Sequence, residues 1–288
     1  MSAFVLKLLA AACMLIDHAG LLLFPSQTWM RAVGRLAFPL FAYFIGEGFY
    51  YTKNRLRYFL RIFLLGVACQ IPYAVVGYPF ELGILITFSL SLCLMELLSR
   101  AQKGFSEGKE GPAWLIAFTI AVVCAGFLCH HVTVDYGFFG ILLPVWMCPF
   151  EKKSHRLAAF SLGLIALCIN YSYPALWTTQ TLCLLALPLL LLYNGKPGKY
   201  RLKWFFYIFY PAHLGYTLQK FLCTILPKGV FCTLDANCTM AELVYQLLYF
   251  GFPLFSFHAK PRRKTIKACK RHIAKNVELV AILAIMVE

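Results

Sequence analysis

The stretch AWLIAFTIAVVCAGFLCH, at residues 113–130, contains no Asp, Glu, Lys or Arg. A helix of this length and composition is a candidate to cross a lipid bilayer. The rest of the chain has the same character, because 61% of its 288 residues are hydrophobic and only 14% are charged. Soluble domains have roughly 45–50% and 25%. The composition excludes a soluble enzyme, a disordered chain and a disulfide-stapled secreted module, and it predicts an integral membrane protein.

Similar apolar segments flank this stretch on both sides, and short connections leave no room for an inserted soluble domain. We predict an all-α, polytopic bundle of about ten transmembrane helices, at 4–24, 34–51, 58–76, 82–98, 113–130, 134–149, 157–172, 178–193, 204–223 and 241–257. The segment 134–149 is the weakest, because it contains Pro144 and Pro149. Residues 1–257 would form the transmembrane domain, and 258–288 a basic cytoplasmic tail.

The net charge of +15, from 27 Lys and Arg against 12 Asp and Glu, is the second unusual number. A basic excess often suggests nucleic acid, but in membrane proteins basic residues collect in cytoplasmic loops. Here 21 of the 27 follow alternate spans or lie in the tail: Lys53, Arg55, Arg57, Arg100, Lys103, Lys109, Lys152, Lys153, Arg156, Lys196, Lys199, Arg201, Lys203, Lys260, Arg262, Arg263, Lys264, Lys267, Lys270, Arg271 and Lys275. This alternation predicts cytoplasmic termini and a multi-pass protein of the inner membrane, with no nucleic-acid partner.

Metal and disulfide signals are weak. Most of the twelve cysteines lie inside predicted spans, and no Cys-x-x-Cys or zinc-like Cys/His spacing occurs. Cys232 and Cys238 are in the longest predicted outer loop, where a disulfide is a hypothesis. His130, His131 and Asp135 cluster in an outer loop without an evident further ligand, so we predict no metal site.

Ionisable residues inside spans are costly and usually functional. Lys7 and His18 are eleven residues apart, so they lie on one face of the first span, about 16.5 Å apart along its axis. Asp17 lies about 100° round the same helix. On the returning second span, Arg35 is close in depth to Asp17 and His18, and Glu47 to Lys7. This predicts two cross-pairs between the spans, which could be purely structural, with Lys7 snorkelling.

A second polar group is predicted in the ninth span, where Tyr207, Tyr210 and His213 share one face. The alternative is an aromatic packing stripe with one hydrogen-bonded core histidine. An ATP-driven pump is disfavoured, because the chain has no Walker-type loop.

Five blocks of polar and aromatic residues resemble the TraX family of membrane proteins, in the same order along the chain. They are KLLAAACMLIDH at 7–18, GRLAFPLFAYFIGEGFYYTKNRLRYFLR at 34–61, DYGFFGILLP at 135–144, YNGKPGKY at 193–200 and FFYIFYPAHL at 205–214. One departure is Pro197, where family members often have arginine. The family is named for a conjugation protein that acetylates the N-terminal amine of pilin, so the resemblance implies membrane acetyltransferase activity with acetyl-CoA as donor.

The family is also similar to a wider group of multi-span acyltransferases that carry an Arg-x10-His pattern on the first span. Lys7 and His18 stand at that separation. The resemblance implies that His18 is a general base or a transient acyl carrier, that Arg35 stabilises the developing oxyanion, and that Asp17 orients His18 or pairs with Arg35.

The resemblance also suggests a cytoplasmic donor site and an acceptor site. The phosphates of acetyl-CoA would meet Lys7 and the basic patch Lys53, Arg55, Arg57 and Arg61, although ordinary positive-inside topology explains each of those four equally well. The acceptor, a protein or a glycan, would meet the residues Glu47, Tyr210 and His213.

Two other functions stay open on the sequence. The same buried charges suit a proton relay in a secondary transporter. Alternatively, the chain could be a non-catalytic membrane partner of a conjugation or secretion machine, with the basic tail as its docking site.

Overall fold

A computed structural model describes residues 1–75, 81–172 and 178–198, and of 205–213 all but 207 and 211. The chain divides into two compact units, Met1–Arg201 and Leu202–Glu288. Several predicted features lie outside the described residues: the span 241–257, most of the span 204–223, the tail 258–288, Tyr207, and the pair Cys232 and Cys238.

The described part of the first unit is almost entirely helical. Its α-helices are α1 (Ala3–Leu22), α2 (Thr28–Gly34), α3 (Ala37–Tyr51), α4 (Arg55–Val75), α5 (Ile84–Ser106), α6 (Gly111–His131), α7 (Gly137–Val145), α8 (Lys153–Ser172) and α9 (Ala186–Leu191), with a 3-10 helix at Thr179–Leu185 before α9. Two short strands, β1 (Glu81–Leu82) and β2 (Thr133–Val134), pair in parallel, with Glu81 opposite Thr133.

Each of the first eight predicted spans overlaps a helical segment of the structure. Within the described residues, three helical stretches are long and apolar enough to cross a membrane: Ala3–Leu21, Ile84–Ser106 and Gly111–His131. The segment 134–149 forms only the nine-residue helix α7, which starts after Tyr136 in a left-handed conformation and contains Pro144 near its end. The count of ten spans and the cytoplasmic termini stay predictions.

Helix α6 shows how the bundle meets its surroundings. The large apolar side chains of Ile116, Ile120, Val123 and Phe127 recur every three or four residues, and each is more than half exposed. That spacing places them on one helix face. A wide, exposed apolar face of this kind is costly in water and suits contact with lipid. The structure therefore supports a membrane protein.

The interior is built by helices that pack against their neighbours: α1 on α2 and α3, α5 on α4, α6 and α7, and α7 on α8. Fully buried core side chains include Leu6, Leu40, Met95, Ile141 and Leu164. This arrangement gathers polar side chains at two levels of the bundle, one near the end of α1 and the other near the start of α8.

Candidate functional site

Asp17, near the C-terminal end of α1, forms an ion pair with Arg31 of α2. The Arg31 Nη1–Asp17 Oδ2 distance is 2.8 Å, and both side chains are largely buried. Gly34 makes this contact possible, because a Cβ atom at that position would overlap the Asp17 carboxylate. The other carboxylate oxygen, Oδ1, is buried and has no hydrogen-bond partner among the described residues. Asp17 thus keeps an acceptor that Arg31 does not use.

Arg35, at the C-terminal end of α2, extends the same polar cluster. Its guanidinium interacts electrostatically with Asp17 and with the Tyr136 hydroxyl. Its Nε is buried and lacks a hydrogen-bond partner within the described part of the chain. The Cys183 thiol donates to the backbone carbonyl of Arg35 at 3.1 Å, which fixes the main chain at this point. Arg35 therefore interacts with Asp17 electrostatically, and Arg31 makes the direct ion pair.

Tyr136 completes this cluster from the loop before α7. It has a φ of 60°, in the left-handed region that is uncommon for residues other than glycine. Its ring stacks on Phe38 of α3 with centroids 3.6 Å apart. The preceding Asp135 is held by its backbone, since Thr87 donates to its carbonyl at 2.9 Å. We name Asp17, Arg31, Arg35 and Tyr136 the upper cluster. His18 follows Asp17 on α1 and is half-buried.

Glu47 of α3 belongs to a second cluster, and its partner differs from the predicted one. The carboxylate binds Arg156 of α8, with Nη2 at 2.8 Å and Nε at 2.9 Å from Oε1. The expectation that Glu47 pairs with Lys7 is wrong. A guanidinium offers two donors to one carboxylate, which an ammonium cannot match geometrically. Arg156 is only 5% exposed, so it is a bundle residue and not a loop charge.

Lys7 lies instead against aromatic rings. Its Nζ is 5.2 Å from the centroid of Phe44, and that ring packs edge-on against Tyr193 at 5.3 Å. Lys153 of α8 lies over the same Tyr193 ring at 4.3 Å. Ammonium groups bind ring faces through the quadrupole of the ring. Lys7 and Lys153 thus approach one aromatic pair from two helices.

The segment 194–198 docks on the first turn of α1. Ala3 donates its backbone N–H to the carbonyl of Lys196 at 2.9 Å, and Phe4 donates to that of Pro197 at 3.1 Å. These bonds satisfy two of the four N–H groups that a helix start leaves without partners. The sequence NGKPG is therefore a cap that holds the end of α1 carrying Lys7. We name Lys7, Glu47, Tyr193, Lys153 and Arg156 the lower cluster.

The predicted basic patch after α3 divides in the structure. Lys53 and Arg57 are exposed, and Arg61 is half-buried. Arg55 lines a cavity of ≈ 480 Å³ between α4, α5 and α6, and its guanidinium lies over the Phe49 ring at 4.1 Å. The patch is therefore not one surface, because Arg55 lies apart in this cavity.

Tyr210 and His213 lie in the second unit. The rings of the two residues meet edge-on at 5.2 Å, and His213 stacks on Phe209 at 4.9 Å. The His213 Nδ1 is 2.9 Å from the Phe209 carbonyl, and the histidine is fully buried. This environment is closer to the alternative interpretation, an aromatic packing stripe with one hydrogen-bonded core histidine, than to an open substrate site. The predicted substrate role stays a prediction.

The described residues offer no set of side chains suited to bind a metal ion. They contain no group of three or more His, Cys, Asp or Glu side chains placed to hold a metal ion. The rings of His130 and His131 are 5.0 Å apart and meet edge-on.

Five residues of these clusters were missed as site residues. Arg31, Lys153 and Arg156 were treated as loop charges, and Tyr136 and Tyr193 were noted only within the blocks that resemble the family. For Arg156 no signal was present, because Lys152 and Lys153 precede the same apolar run and the sequence does not distinguish Arg156 from them. For Arg31, the signal was its position as a basic residue in a predicted outer loop that otherwise lacks basic residues.

Three comparisons place the chain among known proteins. The TraX protein family matches residues 2–218. The "Probable fimbrial assembly protein FimC, serogroup H1" of Dichelobacter nodosus is 28% identical over 239 residues, which cover 74% of this chain and 93% of the relative. An uncharacterized protein of Rickettsia prowazekii (strain Madrid E) is 33% identical over 141 residues, 44% of this chain and 55% of the relative.

No solved structure matches the chain. The family match spans most of the chain and includes every residue of both clusters. The chain therefore belongs to the TraX protein family.

Proposed function

We propose that this protein is a multi-pass acetyltransferase of the inner membrane, which moves an acetyl group from cytoplasmic acetyl-CoA to an acceptor amine or hydroxyl at or across the membrane. The observation that carries the proposal is the half-buried Arg35 guanidinium beside Asp17, with a buried Nε that has no protein partner among the described residues. A fixed cation with a spare donor suits a developing oxyanion.

The chemistry needs three groups close together. The acceptor nitrogen or oxygen attacks the thioester carbonyl, and His18 takes the proton that the acceptor loses. Negative charge builds on the carbonyl oxygen, where Arg35 would stabilise it. The intermediate then expels the CoA thiolate, which recovers the proton, so that the products are the acetylated acceptor and free CoA. If His18 is instead an acyl carrier, the same balance is reached in two transfers.

Asp17 has a supporting part in this scheme. Its ion pair with Arg31 anchors α1 to α2 and keeps the carboxylate beside Arg35. A carboxylate held in this way orients the cation without drawing it away from the reacting carbonyl. Asp17 is thus a positioning residue for Arg35.

The lower cluster supports entry of the donor from the cytoplasmic side, where positive-inside topology puts the start of α1. Lys7 and Lys153 converge on Tyr193. Two cations at one aromatic pair would attract a phosphate-bearing molecule to this end of the bundle.

The acceptor class is suggested by the relative named as a fimbrial assembly protein. An acetylated pilin-like protein fits both that name and the acetyltransferase chemistry, and a glycan is the other acceptor to test. A role in pilus assembly without catalysis is the second candidate function, and the same printed name favours it.

The deciding experiment uses purified protein, labelled acetyl-CoA and cell-envelope acceptor. We expect His18→Ala to reduce acetyl transfer by roughly 10²–10⁴-fold, the usual contribution of a general base. His155→Ala is the matched control, because His155 is exposed at the start of α8. Full activity in His18→Ala, with normal folding, would overturn the mechanism. Absence of transfer in the wild type, combined with loss of piliation on gene deletion, would favour the assembly role.

Arg35 provides a second and independent arm. Arg35→Lys retains a charge but moves the donors, so we expect kcat to fall by about 10²–10³-fold with little change in KM. Unchanged kcat would remove Arg35 from the catalytic scheme.

A further inference from the structure

The ≈ 480 Å³ cavity between α4, α5 and α6 has no part in either cluster. Its lining includes Arg55, Glu96, Arg100, Lys103, Lys109 and Trp114. It is an open cleft and not an enclosed pocket, with a volume within the range of roughly 300–1,000 Å³ that small-molecule sites occupy. It opens at the turn between α5 and α6, which the distribution of basic residues puts on the cytoplasmic side.

Two guanidiniums in this cavity share one carboxylate. Arg55 Nη1 is 3.2 Å from Glu96 Oε2, and Arg100 Nε is 2.8 Å from Glu96 Oε1. Arg55 Nη1 also donates to Ser99 Oγ at 2.9 Å. One negative charge therefore holds two positive charges in place, and a net positive charge is left with several guanidinium N–H groups still available. This is a preorganised arrangement for an anion.

Two lysines add cations at the rim. Lys103 is in a long, exposed ion pair with Glu107, at 3.6 Å, and Lys109 is exposed nearby. An exposed pair of this kind is weak, so its ammonium can exchange the carboxylate for a ligand at little cost. The lining thus has four basic residues, the two arginines and these two lysines, against three carboxylates, which are Glu96, Glu107 and Glu110.

Trp114 forms an aromatic wall beside the cations. The Arg100 guanidinium lies over its ring, with Cζ 4.9 Å from the centroid. Nucleic bases stack readily on aromatic side chains, and an adjacent guanidinium adds cation–π attraction. Phosphate-binding cations beside an indole match a phosphorylated nucleoside better than a simple inorganic anion.

A chain of contacts connects this cavity to the lower cluster. Arg55 lies over Phe49, Phe49 meets Tyr50 edge-on at 6.1 Å, and the Arg156 guanidinium lies 4.6 Å from the Tyr50 centroid. Arg156 then binds Glu47. The cavity and the lower cluster are therefore neighbouring parts of one end of the bundle.

We propose that this cavity binds the phosphorylated adenosine end of the acyl-CoA donor, with Arg55, Arg100, Lys103 and Lys109 at the phosphates and Trp114 at the base. The proposal rests on the function proposed above, and it specifies which part of the protein recognises the nucleotide. The thioester end of the donor would be left for α1, the helix that carries Lys7 and His18.

Binding can be measured without turnover. Adenosine 3′,5′-bisphosphate is titrated calorimetrically into the purified full-length chain, and we expect Lys103→Ala/Lys109→Ala to weaken its binding at least tenfold. Both lysines are exposed, so the variant should fold normally. Lys152→Ala is the matched control, since Lys152 is an exposed inner-side lysine away from the cavity. Equal affinity in the double variant and the wild type would overturn the proposal.

A kinetic arm separates this inference from the proposed function. Acetyl-pantetheine carries the same thioester without the nucleotide. We expect the preference for acetyl-CoA over acetyl-pantetheine, as a ratio of kcat/KM, to fall at least tenfold in the double variant. An unchanged ratio would overturn the cavity assignment while leaving acetyl transfer intact. If the double variant binds the bisphosphate more weakly but the wild type transfers no acetyl group, the cavity is still a nucleotide site and the proposed acetyltransferase activity is wrong.

Discussion

The guanidinium of Arg156 binds a single carboxylate oxygen of Glu47 twice, through Nη2 at 2.8 Å and Nε at 2.9 Å. The side chains are only 6% and 4% exposed. The second carboxylate oxygen, Oε2, is buried without a hydrogen-bond partner in the part of the chain that the structure describes. The pair thus connects α3 to α8 inside the bundle and leaves one acceptor for a polar group that enters the lower cluster.

Removing one partner of this pair should lower the free energy of unfolding far more than removing both partners. Glu47→Leu leaves the Arg156 charge buried and uncompensated, so we expect a loss of about 3–5 kcal/mol in the free energy of unfolding. The double variant Glu47→Leu/Arg156→Leu should recover a large part of that loss. Unfolding of the detergent-purified protein measures both values.

The exposed ion pair between Lys103 and Glu107 is the control for these Glu47 and Arg156 variants. Its N–O distance is 3.6 Å and both side chains are at least half exposed, so Glu107→Ala should cost less than about 1 kcal/mol. Simple additivity of the two Leu substitutions would contradict a coupled, buried Glu47–Arg156 pair.

The helices were predictable because their signal is repeated over many residues. Long apolar runs separated by polar turns predicted α1 and α6 close to their observed bounds, whereas α5 continues to Ser106, beyond the predicted end at 98. The prediction was poorer at 134–149, where the left-handed Tyr136 delays the start of α7 until Gly137. A single unusual backbone conformation leaves no periodic trace in the sequence.

The upper cluster was more predictable than the lower one. Asp17 and Arg35 are charges inside apolar runs, so their sequence context already marks them as buried. Arg156 stands beside other loop cations, and the sequence does not reveal which of them turns inward. Glu47 was recognised as unusual, but its partner depends on how α8 packs near α3, which is a tertiary property.

Gly34 provides a test of the upper cluster. In Gly34→Ala, the new methyl group would overlap the Asp17 carboxylate and push it from Arg31. We expect a loss of about 1–3 kcal/mol in stability, as is usual for overpacking, together with reduced acetyl transfer. Gly126→Ala is a matched control, because its added methyl group would meet Phe138 at an ordinary 3.7 Å. If both variants behave like the wild type, Asp17 does not depend on Gly34.

The predicted orientation can be read by chemical labelling of intact cells. Ser26→Cys lies in the exposed turn after α1, and Lys152→Cys lies in the exposed turn before α8. Because the two turns should face opposite sides, a membrane-impermeant maleimide should label Ser26→Cys at once and Lys152→Cys only after permeabilisation. The wild-type chain corrects for reaction of the native cysteines. The reverse pattern would place the termini outside.

Gly198 tests whether the segment 194–198 holds the start of α1. Its φ is +99°, and an added Cβ would lie 2.7 Å from the Phe4 Cβ. Gly195 has a φ of +78°, but an added Cβ there would meet only Lys153 Nζ, at 3.9 Å. Both alanine variants should carry backbone strain of about 1–2 kcal/mol, and only Gly198→Ala should add a steric clash with α1.

Hydrogen exchange of the Ala3 and Phe4 amides separates these two effects. These amides donate to Lys196 and Pro197 in the docked segment. We expect their exchange to accelerate strongly in Gly198→Ala, because the clash lifts the segment from the helix, and to change little in Gly195→Ala. Equal exchange in the two variants would mean that backbone strain dominates, and that the segment does not act as a cap for the helix that carries Lys7.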